Sequence, residues 1–283
     1  MMSVWRKLES LSVHGLLLLG AVIMLMPYAW MLSTSLKPQN EVFAYPPQWL
    51  PSTLQWQNYA QAWASAPFGR YFLNSFLVAI VVTLGDLVTS SLAAYAFGRM
   101  QFPLRNTLFT LYLASLMIPH QMTIIPAFLL LKNFGDISPA LGLDSYFALI
   151  APFAASAFGV FMLRQSFMQI PNELEDAAVL DGCGRLGFLV RMVLPLSRPA
   201  LATLALFAFQ ANWNSYLWPL IVTNSDQMRT VQIGLRYFVG QEGSSQWGLL
   251  MAAAVFVSLP VVILYLFVQR QFTQGIASTG LKQ

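Results

Sequence analysis

The chain has 283 residues, of which 57% are hydrophobic and 9% charged, and its formal net charge at pH 7 is +4. Soluble domains carry about 25% charged residues, so this chain cannot cover a water-facing surface of its size, and composition points to a polytopic membrane protein. The small positive balance is no nucleic-acid signal, and the single cysteine, Cys183, excludes an internal disulfide and offers no metal spacing.

Residues 1–13 are short and basic at Arg6 and Lys7, and an apolar run follows from Gly15 to Leu32. The run is long for a signal peptide, and Ser33-Thr34-Ser35 is a poor cleavage site. It reads as an uncleaved first span, bent at Pro27, with the N-terminus inside. Residues 36–70 read as an extracytoplasmic loop. Pro38, Pro46, Pro47 and Pro51 make its first half extended, and Trp56 to Ala66 suggests a short helix. Trp49, Trp56 and Trp63 form either an interfacial aromatic belt or a docking surface for an outside partner.

Span two is expected over Phe72 to Phe97 and carries Asp86 at its middle. An ionisable group there costs about 2.5–3.5 kcal/mol on insertion scales, so it should face helices or water. Asp86 is therefore either a pathway residue or a partner of Ser90, Ser91 or Thr83. Span three, Leu104 to Leu131, is expected to break at Met117 to Gln121, because Pro119 cannot donate an N–H and crowds the preceding turn. His120 and Gln121 sit at that break, where they could meet a solute or hydrogen-bond between helices. Residues 132–144 read as a polar loop, and span four as Ser145 to Met168. Span five, Ala200 to Val222, holds the polar cluster Gln210, Asn212, Trp213 and Asn214, suited to cross-helix hydrogen bonds or a polar solute. Residues 223–247 read as an outer loop, Leu249 to Val268 as span six with Pro260 inside, and the remainder as a tail.

Six spans with an inside N-terminus put the C-terminus inside too. Ten basic residues then fall inside (Arg6, Lys7, Arg99, Arg105, Arg164, Arg185, Arg191, Arg198, Arg270, Lys282) and five outside (Lys37, Arg70, Lys132, Arg229, Arg236), which agrees with the positive-inside rule. No phosphate loop is present: the tail segment Gly275 to Lys282 has the glycine spacing, but Leu281 stands at the lysine position. Zinc-protease and nucleophile-elbow motifs are missing as well. The chain is thus expected to do no bond chemistry, and any driving energy must come from a partner or an ion gradient.

One long polar interruption remains, from Pro171 to Pro199. Four carboxylates, Glu173, Glu175, Asp176 and Asp181, precede Arg185, Arg191 and Arg198. Asn172 suits an N-cap with Glu175 as its capping-box partner, and the acids suit the positive end of a helix dipole. A helix is expected from Glu173 to about Leu180, with Leu174, Ala177 and Ala178 on one small apolar face. Gly182 and Gly184 then break it, and a second helix from Leu186 to Val193 is expected to end before Pro195. Physics alone leaves two readings open, a docking surface or an ordinary amphipathic connection.

The spacing Asp176-Ala177-Ala178, three residues, Gly182, nine residues, Met192, one residue, Leu194-Pro195 resembles the EAA loop of ABC-importer permeases. The wider chain is similar to the smaller, six-span permease of the carbohydrate (maltose-type) branch, also at Asn58-Tyr59, Asn74-Ser75, Leu92 to Phe97, Met117-Ile118-Pro119, Ile125-Pro126, Trp213-Asn214 and Gly275 to Lys282. The resemblance implies an all-α polytopic membrane protein with six transmembrane helices in the type I ABC-importer (MetI-like) permease fold, in a bacterial or archaeal cytoplasmic membrane. Its parts would be a first span over 1–35, an outer loop over 36–70, a five-helix core over 71–270 with the EAA loop at 171–199, and a cytoplasmic tail over 271–283. The implied partners are a second, non-identical permease, two ATPases that hold the ATP and magnesium, an extracytoplasmic solute-binding protein and membrane lipid, with no cofactor on this chain and no nucleic acid.

The implied ATPase-coupling residues are Glu175, Asp176, Ala177, Ala178, Gly182, Leu194 and Pro195. Asp176 stands where the family has Glu, so a contact with an ATPase arginine could shift to Glu175; Met192 replaces Ile with similar volume. Candidate solute-path residues are Asp86, His120, Gln121, Gln210, Asn212 and Asn214. A sugar, a glycoside or a glycerol-phosphate-type solute fits the resemblance. The competing reading is an ion-coupled secondary transporter using Asp86, which would need no ATPase.

Overall fold

The computed structural model describes the backbone of residues 2–239 and 246–280, and side chains over 10–239 and 246–269. The side chains of Arg6 and Lys7, and the tail positions from Arg270 to Lys282 on which part of the resemblance rests, lie outside the described side chains. Among the described residues every regular element is helical. The chain divides into two compact units, one of residues 1–68 and 235–259, the other of 69–234 and 260–283.

In the first unit, α1 (Met2–Ser35) runs uninterrupted through Pro27. Its apolar side chains from Leu16 to Met26 are at least half exposed, an arrangement that only a non-aqueous solvent tolerates along a helix of this length. The candidate span Ser10–Ser35 has 26 residues; at about 1.5 Å per residue it exceeds the hydrocarbon thickness of a bilayer. The segment after it is irregular, as its prolines require, apart from a 3₁₀ turn at Gln39–Glu41, and α2 (Gln57–Ala64) is the short helix expected there. Lys37 pins this segment: it is fully buried, donates to the Gln48 carbonyl at 2.6 Å, and lies 4.0 Å from the Trp30 ring centre. Asn58 donates to the carbonyls of Ser35 and Lys37, and Trp49 packs edge-on against Trp30. Trp63 and Phe68 meet Phe256 edge-to-face, and Phe68 stacks on Phe238. Trp49 and Trp63 are thus half-committed to packing inside the unit, while Trp56 stays 66% exposed.

The second unit is built around α3 (Phe68–Arg99). Val78, Val82, Asp86, Ser90 and Ala94 recur every fourth residue and are all buried, so one face of α3 forms a continuous inward stripe. Val78 and Val82 join one core cluster with Ile124, Leu131, Leu149, Trp218 and Val222. Ala94 and Tyr95 join another with Leu163, Phe167, Phe188, Leu189, Val193 and Leu204. At the start of the stripe, buried Asn74 is fully satisfied: it donates to the carbonyls of Gln227 and Arg229 and accepts from the Tyr146 hydroxyl. Ser75 accepts from the Val231 N–H. The resemblance pair Asn74-Ser75 therefore ties α3 to the segment 227–231.

The expected break in span three is present. α4 (Arg105–Ala114) with its 3₁₀ extension to Met117 meets α5 (His120–Ile137) at 96°, through extended Ile118 and Pro119. The expected polar loop at 132–144 begins later, since α5 continues to Ile137. Span four is not one regular helix: α6 (Tyr146–Ile150) gives way at Pro152, and α7 (Ala157–Met168) restarts with the Ser156 hydroxyl accepting from the Gly159 N–H. The following segment forms α8 (Asn172–Leu180), α9 (Arg185–Phe188), a π-helical turn Leu189–Val193 and α10 (Leu194–Leu196). That second helix passes through Pro195 instead of ending before it, because the widened turn absorbs the missing donor.

Next come α11 (Arg198–Trp213), set at 81° to its predecessor, and α12 (Leu217–Val222). Span five is therefore two helices, broken at Asn214 and Ser215. α13 (Val231–Gly234) leads to α14 (Trp247–Gly280), which continues through Pro260 and past the expected end of span six. Among the described residues four helices are long and apolar enough to cross a membrane, and six spans result if each bent pair counts as one.

Candidate functional site

The segment 171–199 has an inner and an outer side. Leu174, Ala178, Cys183, Met192 and Leu194 pack against the Ala94–Phe167–Leu204 cluster. Facing away, Asp176, Ala177, Val179, Leu180, Leu186 and Val190 are exposed, with Leu180 at 88%. The expected single face of Leu174, Ala177 and Ala178 is corrected accordingly: Ala178 belongs to the protein's own core, and Ala177 points outward. Leu194 is half-buried and Pro195 exposed.

Gly182 ends α8. The Cys183 N–H reaches back to the Ala178 carbonyl at 2.8 Å and the Gly182 N–H to that of Val179 at 3.0 Å, a Schellman closure that needs a left-handed residue between them. Gly182 supplies it with φ +76°. A Cβ there would meet open space, so its requirement is conformational, not steric.

The expected capping box is overturned. Pro171 occupies the N-cap position without a side-chain cap, and Asn172 is the first helical residue. Its Oδ1 accepts from Arg99 at 2.6 Å, and Arg99 lies 3.6 Å from a Glu175 carboxylate oxygen. Arg99 also donates to the Phe167 carbonyl at 3.0 Å and to that of Ile170. Its side chain is only 4% exposed. One guanidinium thus caps the C-terminal carbonyls of α7, holds the first turn of α8, and belongs to the last turn of α3. Glu175 is occupied inside the chain, whereas Asp176 presents its carboxylate outward. The charge pattern alone places Arg99 only among the inside basic residues; its position at the end of a span, with a carboxylate-rich segment later in the chain, is the signal the sequence offers.

A second cluster forms in the middle of α3. Asp86 is 4% exposed and accepts from the Ser90 hydroxyl at 2.7 Å, which selects one of the three partners considered for it. The Ser156 side chain and N–H face the same carboxylate. This approach depends on Gly159, where a Cβ would lie 2.4 Å from the Ser90 oxygen and 3.1 Å from Asp86 Oδ1. Asp86 opens onto a cavity of about 300 Å³ lined by Ser156, Phe153, Phe158, Leu204, Phe207 and Asn212 among others. Asn212 donates to the Ala208 carbonyl at 2.8 Å.

Of the six candidate path residues, Asp86 and Asn212 meet in this cavity. His120 is exposed, hydrogen-bonds the Thr123 hydroxyl through a ring nitrogen, and packs at 5.4 Å and a tilted angle against Phe153, which itself lines the cavity. Gln121 and Gln210 are exposed and do not line it. Asn214 ends α11 and accepts from Gln232 at 3.3 Å, outside the cavity. Trp213, counted in the polar cluster, is a core aromatic packed among Phe72, Phe76 and Phe209. No group of three or more histidine, cysteine or carboxylate side chains suited to a metal occurs among the described residues.

Residues 87–278 match the family described as binding-protein-dependent transport system inner membrane component. The sn-glycerol-3-phosphate transport system permease protein UgpE of Yersinia enterocolitica (serotype O:8 / biotype 1B) is 37% identical over 274 residues, covering 94% of this chain and 95% of its own. Its namesake in Escherichia coli O1:K1 / APEC is 36% identical over the same shares. A chain of a bacterial ABC transporter involved in the import of the acidic polysaccharide alginate matches with a TM-score of 0.80 at 24% identity, over 94% of this chain and 97% of that one. The bacterial alginate ABC transporter in complex with an alginate pentasaccharide-bound periplasmic protein matches at 0.62 and 15% identity, over 93% and 95%. At these identities the two structures speak for the fold.

Proposed function

The chain belongs to the binding-protein-dependent transport system inner membrane components and is a permease subunit of an ATP-driven importer; from that premise we propose how its residues divide the work. It forms half of a translocation path with a second, non-identical permease. The segment 171–199 lies on the cytoplasmic side, with both termini, and couples the path to two ATPase subunits that carry ATP and magnesium. The loop 36–70 and the segment 223–247 face the solute-binding protein outside. The chain itself holds no cofactor and catalyses no bond chemistry. The solute is a sugar, a glycoside or a glycerol-phosphate-type molecule, a class supported by the names of the relatives.

The observation that carries the coupling assignment is the two-sided α8. Its inner face is built into the chain's own core, while Asp176, Ala177, Val179 and Leu180 are left outward with an acid next to apolar carbon. Because Arg99 engages Glu175, Asp176 is the carboxylate available to an ATPase arginine. Gly182 sets the turn, and Leu194 and Pro195 seat the second half of the segment. Affinity capture of the tagged chain from membranes tests this. The ATPase subunits are expected to co-elute with the native chain and to be lost with Asp176→Lys, while Glu175→Gln retains them. Full retention by Asp176→Lys overturns the assignment of Asp176. Uptake that runs on a proton gradient without ATP would instead restore the ion-coupled reading of Asp86.

A further inference from the structure

The cavity beside Asp86 has a composition that bears on the charge of the cargo. Its described lining contains one carboxylate, one carboxamide and one hydroxyl, from Asp86, Asn212 and Ser156, set among the rings of Phe153, Phe158 and Phe207. None of its lining residues is lysine, arginine or histidine. Asp86 is nine-tenths buried and held by Ser90, and Gly159 leaves the space that lets Ser90, Ser156 and the carboxylate converge. The Asn212 amide spends one N–H on its own helix at Ala208; its carbonyl oxygen and second N–H are the groups it can offer a ligand.

Carboxylate and carboxamide side chains satisfy hydroxyl groups, and flat aromatic faces cover the apolar face of a sugar ring or polyol. A phosphate or carboxylate needs the opposite: cationic, N–H-rich partners that neutralise it. A phosphomonoester would bring a charge of about −1.5 to −2 against Asp86 in a site of low dielectric. If Asp86 is protonated it becomes a hydrogen-bond donor, which still leaves the site without a countercharge. The volume, about 300 Å³, sits at the low end of ligand pockets, which range over about 300–1,000 Å³, and so suits one ring-sized unit at a time.

We propose that this cavity is a subsite for one neutral, polyhydroxylated unit of the solute and that it excludes phosphorylated or carboxylated solutes. The proposal rests on the permease reading above. It narrows the solute class to its neutral members, and so separates this chain's cargo from the anion in the names of its sequence relatives.

The test reads binding at the cavity directly. In a Cys183→Ser background, Ala211→Cys places a thiol on the cavity lining, and its rate of labelling by a maleimide is followed in the assembled transporter. Glucose and glycerol, at high and equal concentrations, are expected to slow labelling several-fold, and sn-glycerol 3-phosphate to leave it unchanged. Asn212→Ala and Phe207→Ala should each weaken the protection by the neutral probes. Asp86→Asn, which keeps the shape and removes the charge, should still leave sn-glycerol 3-phosphate without effect, because it adds no countercharge. Protection by sn-glycerol 3-phosphate equal to that by glucose overturns the proposal, and so does the absence of protection by both neutral probes. A control thiol at Thr53→Cys, far along the chain in the first unit, must stay unaffected; equal slowing there would show a reagent effect and likewise overturn it. ATP-dependent uptake by the same native complex is measured separately, so failure of the permease reading shows as lost ATP dependence, independent of protection.

Discussion

At the scale of single residues, Arg99 carries more of the candidate coupling site than any residue in the recognised motif. Its guanidinium meets two carbonyls at the end of α7, the Asn172 amide oxygen and the Glu175 carboxylate, and is almost wholly shielded from water. A hydrogen bond to a charged group contributes about 1.5–3 kcal/mol, and a buried partner left alone loses its solvation as well. Arg99→Ala should therefore loosen α8 while leaving the spans in place. In a double-mutant cycle with Glu175→Gln, read from the thermal stability of the purified complex, an interaction energy of about 0.5–3 kcal/mol is expected. Strict additivity of the two substitutions would show that the pair does not act as a unit. Asp176 differs in kind, since its carboxylate is exposed and, on the proposed coupling role, acts outside the chain, so substituting it should leave the isolated chain's stability nearly unchanged.

At the scale of elements, the four-residue stripe on α3 explains why an acid can sit in a span. Asp86 occurs in register with Val78, Val82, Ser90 and Ala94, so the helix that buries the valines also buries the carboxylate and gives it Ser90 one turn away. The segment after α1 in the first unit is held differently, by polar contacts of exposed side chains. The Ser52 hydroxyl and N–H both bind Glu41, and they hold its carboxyl below the usual carboxylate range, with Lys37 adding to the effect. The folded form therefore favours the ionised acid. Its contribution is present above the unfolded value of about 4.3 and is lost as pH falls through the lower folded value. Amide exchange at Ser52 should accelerate over that acid window in the native chain, and Glu41→Gln should abolish the pH dependence. The same acid response in both forms would rule out Glu41 as the switch.

At the scale of the whole molecule, the distribution of basic residues and the helix count make one orientation testable. Cys183 follows α8, and Thr53 is exposed in the first unit. A membrane-impermeant maleimide should label Cys183 in inverted vesicles and not in sealed right-side-out ones. Thr53→Cys in a Cys183→Ser background should behave in the opposite way. Labelling of both from the same side would contradict an odd number of crossings between them. The expected number of crossings depends on the two bent pairs, Arg105–Met117 with His120–Ile137 and Arg185–Leu196 with Arg198–Trp213, each passing as one.

The sequence by itself determined the membrane class, the number of apolar segments, the break at Pro119, the helix ending at Gly182 and the family resemblance. These follow from composition, from proline and glycine stereochemistry, and from spacing, all of which are local. Only the tertiary structure decided which neighbours the polar residues would have. Asn172 looked like a cap because Glu175 stands three residues later, but Arg99, distant in sequence, offered both a stronger charged partner. Ala177 and Ala178 are identical in the motif and differ in the fold, since one residue step rotates an α-helix by about 100° and carries them to different faces. Proline at 195 looked like a helix stop, and a π-helical turn absorbed it. Asp86 and Asn212 share a cavity because α7 and α11 pack there, with Gly159 leaving the carboxylate its space; no spacing in the chain encodes that meeting.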